Sequence, residues 1–182
     1  LSLDKTEDRD IAIIGIACEY SNCKNKYEFF ENIEKGINCL RTFDPARVDY
    51  LAPINDNPQI LKFFSGGETQ MLSSSFKAGY IDNVDKFDAK FFGIPPREAK
   101  YMDPIQRKYL EVSMEALEDA GYGEEKIRNT NTGVYVGRDN TCPTFYRYLV
   151  QDDPMIYTGT WEGILASRIS YIYNLRGPAM VM

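Results

Sequence analysis

The chain has 182 residues, enough for one ordinary domain or for part of a larger one. It is 43% hydrophobic and 26% charged, which is typical of a folded protein rather than a disordered one. Its net charge of −6 argues against a nucleic-acid partner, because binding to phosphates depends on basic patches. The 21 Lys and Arg residues leave an acidic protein partner open. No apolar run approaches the about 20 residues of a membrane span, so we expect a cytoplasmic protein.

The cysteines and the missing histidines limit the chemistry of the chain. Four cysteines, Cys18, Cys23, Cys39 and Cys142, are too few for a disulfide framework at this length. They also lack the paired spacing of a zinc site, so we expect reduced thiols and no bound metal. The sequence contains no histidine. A complete Ser-His-Asp or Cys-His active site therefore cannot lie within these residues.

The first half of the chain begins with a charged linker, residues 1–10. Residues 11–17 are apolar on both faces, which predicts a buried parallel strand. Apolar residues at helical spacing predict a helix over residues 26–35, with Gly36 as its C-terminal cap. Prolines, a double glycine and a serine run predict a long irregular surface excursion over residues 38–75.

The second half predicts alternating helices and strands. Asp103 as N-cap and Pro104 as first residue predict a helix over residues 104–120, ended by Gly121. Its buried stripe is predicted to contain Ile105, Tyr109, Val112, Ala116 and Ala120, widened by Leu110, Met114 and Leu117. A strand is predicted at residues 133–137, a helix from Trp161, and a final strand at residues 179–182 after an Arg-Gly-Pro turn. This order predicts an α/β fold with a mainly parallel sheet.

Two patterns that resemble functional sites have simpler explanations. Gly133 and Gly137 resemble a phosphate loop but lack its Lys-Ser/Thr, so we interpret them as glycines that flank a tightly packed strand. A cluster of carboxylates lies on the polar side of the long helix, where a solvated surface is expected: Glu111, Glu115, Glu118 and Asp119. The residues by themselves indicate an α/β domain without a complete active site.

A collinear series of motifs adds a family resemblance. In chain order the motifs are Ile11-Ala12-Ile13-Ile14-Gly15-Ile16-Ala17-Cys18, Gly79-Tyr80-Ile81, Asp85-Lys86-Phe87-Asp88, Phe91-Phe92-Gly93-Ile94, Pro96-Arg97-Glu98-Ala99, Met102-Asp103-Pro104-Ile105-Gln106-Arg107, Glu115-Ala116-Leu117-Glu118-Asp119-Ala120-Gly121, Thr132-Gly133-Val134-Tyr135-Val136-Gly137, Ala166-Ser167-Arg168-Ile169-Ser170-Tyr171 and Arg176-Gly177-Pro178. Together they resemble the N-terminal part of the ketosynthase domain of modular (type I) polyketide synthases, in the beta-ketoacyl synthase family. The chain departs from the family's usual residues at Pro95, Met114 and Ser167, and residues 38–75 match it poorly.

The resemblance implies part of a thiolase-like fold, a five-layer αβαβα architecture of which residues 11–182 would supply the N-terminal portion. It implies an enzyme that accepts an acyl chain from an acyl carrier protein and condenses it with a malonyl-type extender after decarboxylation. Neighbouring synthase domains and a homodimer are the implied further partners, and no cofactor is bound, since substrates arrive on a phosphopantetheine arm. The family's nucleophilic cysteine would fall about four residues past Met182, and its two histidines further on. We therefore expect a fragment that is inactive alone; the alternative is a structural, dimerising or complementing piece of a split or non-elongating ketosynthase.

The resemblance also implies a substrate-binding segment and an interface strand. In the family, the stretch about 25–30 residues before the nucleophile crosses the dimer interface and helps to wall the partner's acyl channel. Here that stretch combines apolar and aromatic groups with a flexible Gly159, and its predicted site residues are Met155, Ile156, Tyr157, Thr160 and Trp161. The alternative is that Tyr157 and Trp161 cap the hydrophobic core. Residues 179–182 are expected to pair with their counterpart across the two-fold axis.

Overall fold

The computed structural model describes residues 10–42, 58, 77–138 and 153–182. Its helices are α1 (Lys26–Glu34), α2 (Pro96–Tyr101), α3 (Pro104–Asp119), α4 (Glu124–Ile127), α5 (Met155–Thr160) and α6 (Ile164–Ile172). Its strands are β1 (Arg41–Thr42), β2 (Lys77–Ala78), β3 (Val134–Val136) and β4 (Ala179–Val181). Pairing is antiparallel between β1 and β2 and parallel between β3 and β4. Nearly all of the predicted linker and most of the predicted excursion lie outside the described residues. Within the described residues, no helix is long and apolar enough to cross a membrane.

Helix α3 confirms the prediction made from its capping residues. The Asp103 carboxylate accepts a hydrogen bond from the backbone N–H of Ile105 at 2.8 Å, and Pro104 occupies the first turn. The predicted stripe is partly wrong. Ile105 is about half exposed, whereas Gln106 and Arg107 are buried beside Leu110. The buried face is rotated toward these polar residues. The interior supplies partners for both ends of the Gln106 amide. Arg107 donates from Nη1 to the Asp85 carbonyl oxygen at 3.4 Å, while its buried Nε has no partner among the described residues.

The parallel pair β3–β4 confirms the predicted strands at residues 133–137 and 179–182. Val134 pairs with Ala179 and Val136 with Val181. The Arg-Gly-Pro turn before β4 lies against the start of β3, where a methyl group on Gly177 would overlap the backbone of Thr132. Helix α6 covers this pair and packs on α3, so the main core lies between the two helices.

The predicted buried strand at residues 11–17 is wrong in this structure. No strand is assigned to it, and its isoleucines are exposed, Ile13 by 80%. The segment lies instead along α3: the Ile16 N–H donates to Asp119 at 2.9 Å, and Gly15 contacts the backbone of Ala116 so closely that a methyl group would not fit. A cavity of about 660 Å³ is lined by this segment on one side and by the start of β3 on the other. Among the described residues the segment pairs with no strand.

Helix α1 confirms the prediction for residues 26–35, but its apolar side chains do not enter the core. Asn25 caps its N-terminus, and Gly36 follows it with φ +61°. Tyr27 and Phe30 are largely exposed. The helix predicted from Trp161 begins later, at Ile164, because Trp161 lies in the turn between α5 and α6.

Candidate functional site

The predicted site residues lie on α5 and in the turn that follows it. Ile156 is 3% exposed and Thr160 1%, so both anchor the segment within this chain. Met155 is half-buried. Tyr157 and Trp161 are 60% and 62% exposed, so in the described structure neither ring caps the core. We call these two exposed residues together the aromatic face.

Gly159 allows close packing rather than flexibility. A methyl group at this position would overlap the carbonyl oxygen of Tyr101 and lie 2.7 Å from its carbonyl carbon. The Gly159 carbonyl oxygen accepts a hydrogen bond of 2.8 Å from the backbone N–H of Asp103. Helix α5 is therefore packed, backbone against backbone, on the junction between α2 and α3.

A buried polar network holds the C-terminal end of α5. The side chain of Gln106 donates to the carbonyl oxygen of Trp161 at 3.3 Å and accepts from Arg168 Nε at 3.1 Å. Arg168 also donates to the Thr158 carbonyl oxygen at 3.4 Å and forms an ion pair with Glu98. Groups on α2, α3 and α6 thus converge on the backbone beneath the aromatic face.

The N-terminal end of α5 is held by Asp153. Its carboxylate accepts hydrogen bonds from the backbone N–H of Met155 at 2.9 Å and from Arg97 Nη2 at 2.8 Å. The backbone N–H, followed by the guanidinium, lowers the pKa of Asp153. Both ends of α5 are therefore tied to the α2–α3 region.

The ion pair of Arg138 and Glu162 lies near the carboxyl ends of the parallel strands β3 and β4, where α/β proteins commonly bind ligands. The Arg138 N–H donates to the Met182 carbonyl oxygen, and the Met182 N–H donates to that of Val136, both at 2.8 Å. The Arg138 side chain, which is nearly buried, pairs with Glu162 at 3.3 Å. Because Glu162 directly follows Trp161, this pair links the aromatic face to the end of the strand pair.

Asp103 is a buried carboxyl beneath this region. Burial raises its pKa, although the hydrogen bond from Ile105 and the charges of Arg138 and Arg107 act in the opposite direction. The carboxylate therefore carries a desolvation cost at neutral pH in addition to its capping role.

The described thiols lie elsewhere. Cys18, Cys23 and Cys39 are free, and burial raises the pKa of Cys23, which makes it a poor nucleophile. Cys142 lies outside the described residues. Within the described ranges, no group of three or more Cys, Asp or Glu side chains could hold a metal ion.

The two patterns that resemble functional sites have mainly structural roles. Gly133 packs against Tyr135 and Pro178 at the start of β3, as predicted, whereas a methyl group on Gly137 would meet no atom within 4 Å, so the tight packing predicted there is wrong. Glu115 and Glu118 are exposed, while Lys108 pairs with Glu111 at 3.1 Å, as in a solvated charged surface.

The sequence alone did not reveal the network of Gln106, Arg168 and Glu98. All three lie inside the motifs quoted above, and a glutamine among apolar positions of a helix was the available signal. The pairs are 62 and 70 residues apart along the chain, a separation that no local pattern encodes.

Comparison with known proteins identifies relatives over nearly the whole chain. The family model described as "Beta-ketoacyl synthase, N-terminal domain" matches residues 8–182. The chain is 36% identical over 182 residues to polyketide synthase GfsA of Streptomyces halstedii, covering 98% of this chain and 2% of that protein. It is 30% identical over 181 residues to polyketide synthase PksM of Bacillus subtilis, covering 100% of this chain and 4% of that protein.

Solved structures agree with this result. The ketosynthase from module 6 of the bacillaene synthase of Bacillus subtilis 168 matches with a TM-score of 0.69 and 28% identity, covering 94% of this chain and 26% of that one. Ketosynthase twelve of the bacillaene synthase of Bacillus amyloliquefaciens matches with a TM-score of 0.66 and 27% identity, covering 94% and 27%. The chain thus spans about a quarter of these ketosynthases, and the similarity confirms the predicted fold class.

Proposed function

Because the chain belongs to the beta-ketoacyl synthase family, we propose that it forms the N-terminal part of a ketosynthase that extends polyketide chains. In this proposal the complete enzyme takes an acyl chain from an acyl carrier protein onto a cysteine and condenses it with a malonyl-type extender after decarboxylation. The collinear family match over residues 8–182 is the observation that carries the proposal.

The proposal divides the chemistry between these residues and others. The sequence holds no histidine, and the buried Cys23 has a raised pKa, so neither the decarboxylation nor the nucleophile is assigned to the described residues. Their contribution is the aromatic face and the strand pair β3–β4. Substrates arrive on the phosphopantetheine arm of the carrier protein, and neighbouring synthase domains are the further partners in this proposal.

Mass spectrometry tests this division. Incubation of the 182-residue chain with an acyl thioester, followed by peptide mapping, is expected to show no stoichiometric loading on any of the four cysteines. The complete domain, treated in the same way, is expected to load one acyl group and to release carbon dioxide when a malonyl carrier protein is added. Specific loading of the 182-residue chain, or no loading of the complete domain, contradicts the proposal.

We further propose that the aromatic face forms part of the wall of an acyl channel. In a homodimer this channel would belong to the partner subunit, on the other side of the subunit interface. An acyl chain of variable length needs apolar walls with few fixed polar groups, and two exposed rings on a firmly held backbone supply such a wall. Ile156 and Thr160 support the wall from within.

A size series at Tyr157, with Ala, Phe and Trp, tests the wall in the complete domain. We expect the ratio of long-chain to short-chain acylation rates to change while the unfolding midpoint stays constant. Tyr171→Ala is the matched control, because Tyr171 is also an exposed tyrosine but lies on α6 away from the face. A uniform loss for all chain lengths that follows a loss of stability contradicts the wall.

A structural or complementing role is the second candidate function. The observation that favours it is the exposed apolar segment at residues 11–17 beside the cavity against β3. Mixing the 182-residue chain with a separately produced remainder of the domain tests it, since a complementing piece restores condensation on mixing.

A further inference from the structure

Several donors from outside α5 meet at its C-terminal end. A helix of six residues leaves the carbonyl groups of its last turn without helical partners. Here the carbonyl oxygens of Thr158 and Gly159, and that of Trp161 in the turn that follows, accept four hydrogen bonds from outside α5. The side chains of Arg168 and Gln106 donate two of them, and the backbone N–H groups of Asp103 and Ile164 donate the other two.

These two side chains act as one unit. Arg168 is nearly buried. Its guanidinium donates from Nε to Gln106, from Nη1 to Glu98 and from Nη2 to the Thr158 carbonyl oxygen. Because the guanidinium contacts the amide oxygen of Gln106, the amide nitrogen is turned toward the Trp161 carbonyl oxygen. Loss of the Arg168 guanidinium therefore also removes the hydrogen bond that fixes the orientation of the Gln106 amide.

We propose that Arg168 and Gln106 are positioning residues that set the aromatic face and, through it, the acyl-chain preference of the site. They touch no substrate themselves; they hold the backbone from which Tyr157 and Trp161 project. The consequence for chain length rests on the proposed function of the face, whereas the positioning itself does not.

The first experiment measures only whether the aromatic face keeps its position. Its probe is Trp161, the single tryptophan of the 182-residue chain. Acrylamide quenching and the emission maximum are compared for the unchanged chain, Arg168→Lys and Gln106→Met, each with its urea unfolding midpoint. The control is Arg128→Lys, since Arg128 also donates to a helix-terminal carbonyl, that of Ile172, but on α6.

We expect Trp161 quenching and emission to change in both network variants and to stay constant in the control. If Gln106→Met does not fold, Gln106→Glu replaces it, because the carboxylate keeps the acceptor for Arg168 and loses the donor to Trp161. Folded network variants with unchanged Trp161 fluorescence overturn the proposal.

The second experiment measures selectivity in the complete domain. Loss of one buried hydrogen bond is expected to change the ratio of long-chain to short-chain kcat/KM about fivefold, which is about 1 kcal/mol. The change is expected in KM more than in kcat, since the network lies remote from the reacting bond. Arg168→Lys, which keeps the charge, is expected to retain part of the preference.

The two experiments together distinguish a failure of the positioning role from a failure of the proposed channel wall. Altered Trp161 fluorescence with an unchanged chain-length ratio leaves positioning intact and rejects the aromatic face as a channel wall. An altered ratio with unchanged fluorescence rejects positioning through the face. A loss of rate that is equal for all chain lengths and follows the unfolding midpoint shows a merely structural network and overturns the inference.

Discussion

Substitution of Gly159 by alanine tests the packing that holds α5. The added methyl group would overlap the carbonyl oxygen of Tyr101 and lie 3.1 Å from the Cα of Met102. Both obstacles are backbone atoms, so no side-chain rotation relieves the clash. Helix α5 must move away, which breaks the 2.8 Å hydrogen bond between the Asp103 N–H and the Gly159 carbonyl oxygen.

The size of the effect follows from three terms. Overpacking of a well-packed interior costs about 1–3 kcal/mol. Leaving the buried N–H and carbonyl groups unpaired costs about 1–3 kcal/mol more. Alanine favours the helix over glycine by about 1 kcal/mol, which offsets part of the loss. We therefore expect Gly159→Ala to lower the free energy of unfolding by about 1–5 kcal/mol.

Urea unfolding followed by Trp161 fluorescence measures this difference, with Gly123→Ala as the matched control. A methyl group on Gly123 would meet no atom within 4 Å, so its expected effect is within about 0.5 kcal/mol. If both variants unfold at the same midpoint as the unchanged chain, the close approach of α5 to the α2–α3 junction is refuted.

Three further results are expected. Gly177→Ala lowers the unfolding midpoint, because its methyl group would overlap the Thr132 backbone and separate β3 from β4; an unchanged midpoint argues against that turn. Asp103→Asn keeps the helix cap and raises the urea unfolding midpoint at pH 7. The reason is that burial raises the pKa of Asp103 above its unfolded value of about 3.9, so the ionised carboxylate destabilises the folded state at this pH. That gain should vanish as the pH falls below about 4 and the carboxyl is protonated, and a gain that persists in acid contradicts it. Iodoacetamide should label Cys39 before Cys23, whose pKa burial raises, and peptide mapping that shows the reverse order rejects the buried thiol.

Local signals predicted the parts of the fold that depend on neighbouring residues. The start of α3 followed from Asp103 and Pro104, which act within one turn of the helix. The positions of strands β3 and β4 followed from two apolar runs and from the Arg-Gly-Pro turn between α6 and β4, whereas their pairing with each other was seen only in the structure.

Features that depend on distant partners were not predictable in the same way. The apolar run at residues 11–17 indicates a preference for burial but does not name the strand that would cover it, and in this structure the segment lies on α3. The burial of Gln106 depends on Arg168, which is 62 residues away. Gly159 was interpreted as a source of flexibility because its close neighbour, the Tyr101 carbonyl group, lies on another helix.

Photoaffinity labelling locates the wall of the acyl channel. A long-chain acyl thioester with a photoreactive group near its end is loaded onto the complete ketosynthase domain, irradiated, and mapped by peptide mass spectrometry. We expect adducts on Tyr157 or Trp161, and labelling of the control Tyr171 at background level. Adducts confined to other surfaces, such as the cavity between Ile13 and Val134, would contradict the assignment of the aromatic face as the wall of the acyl channel.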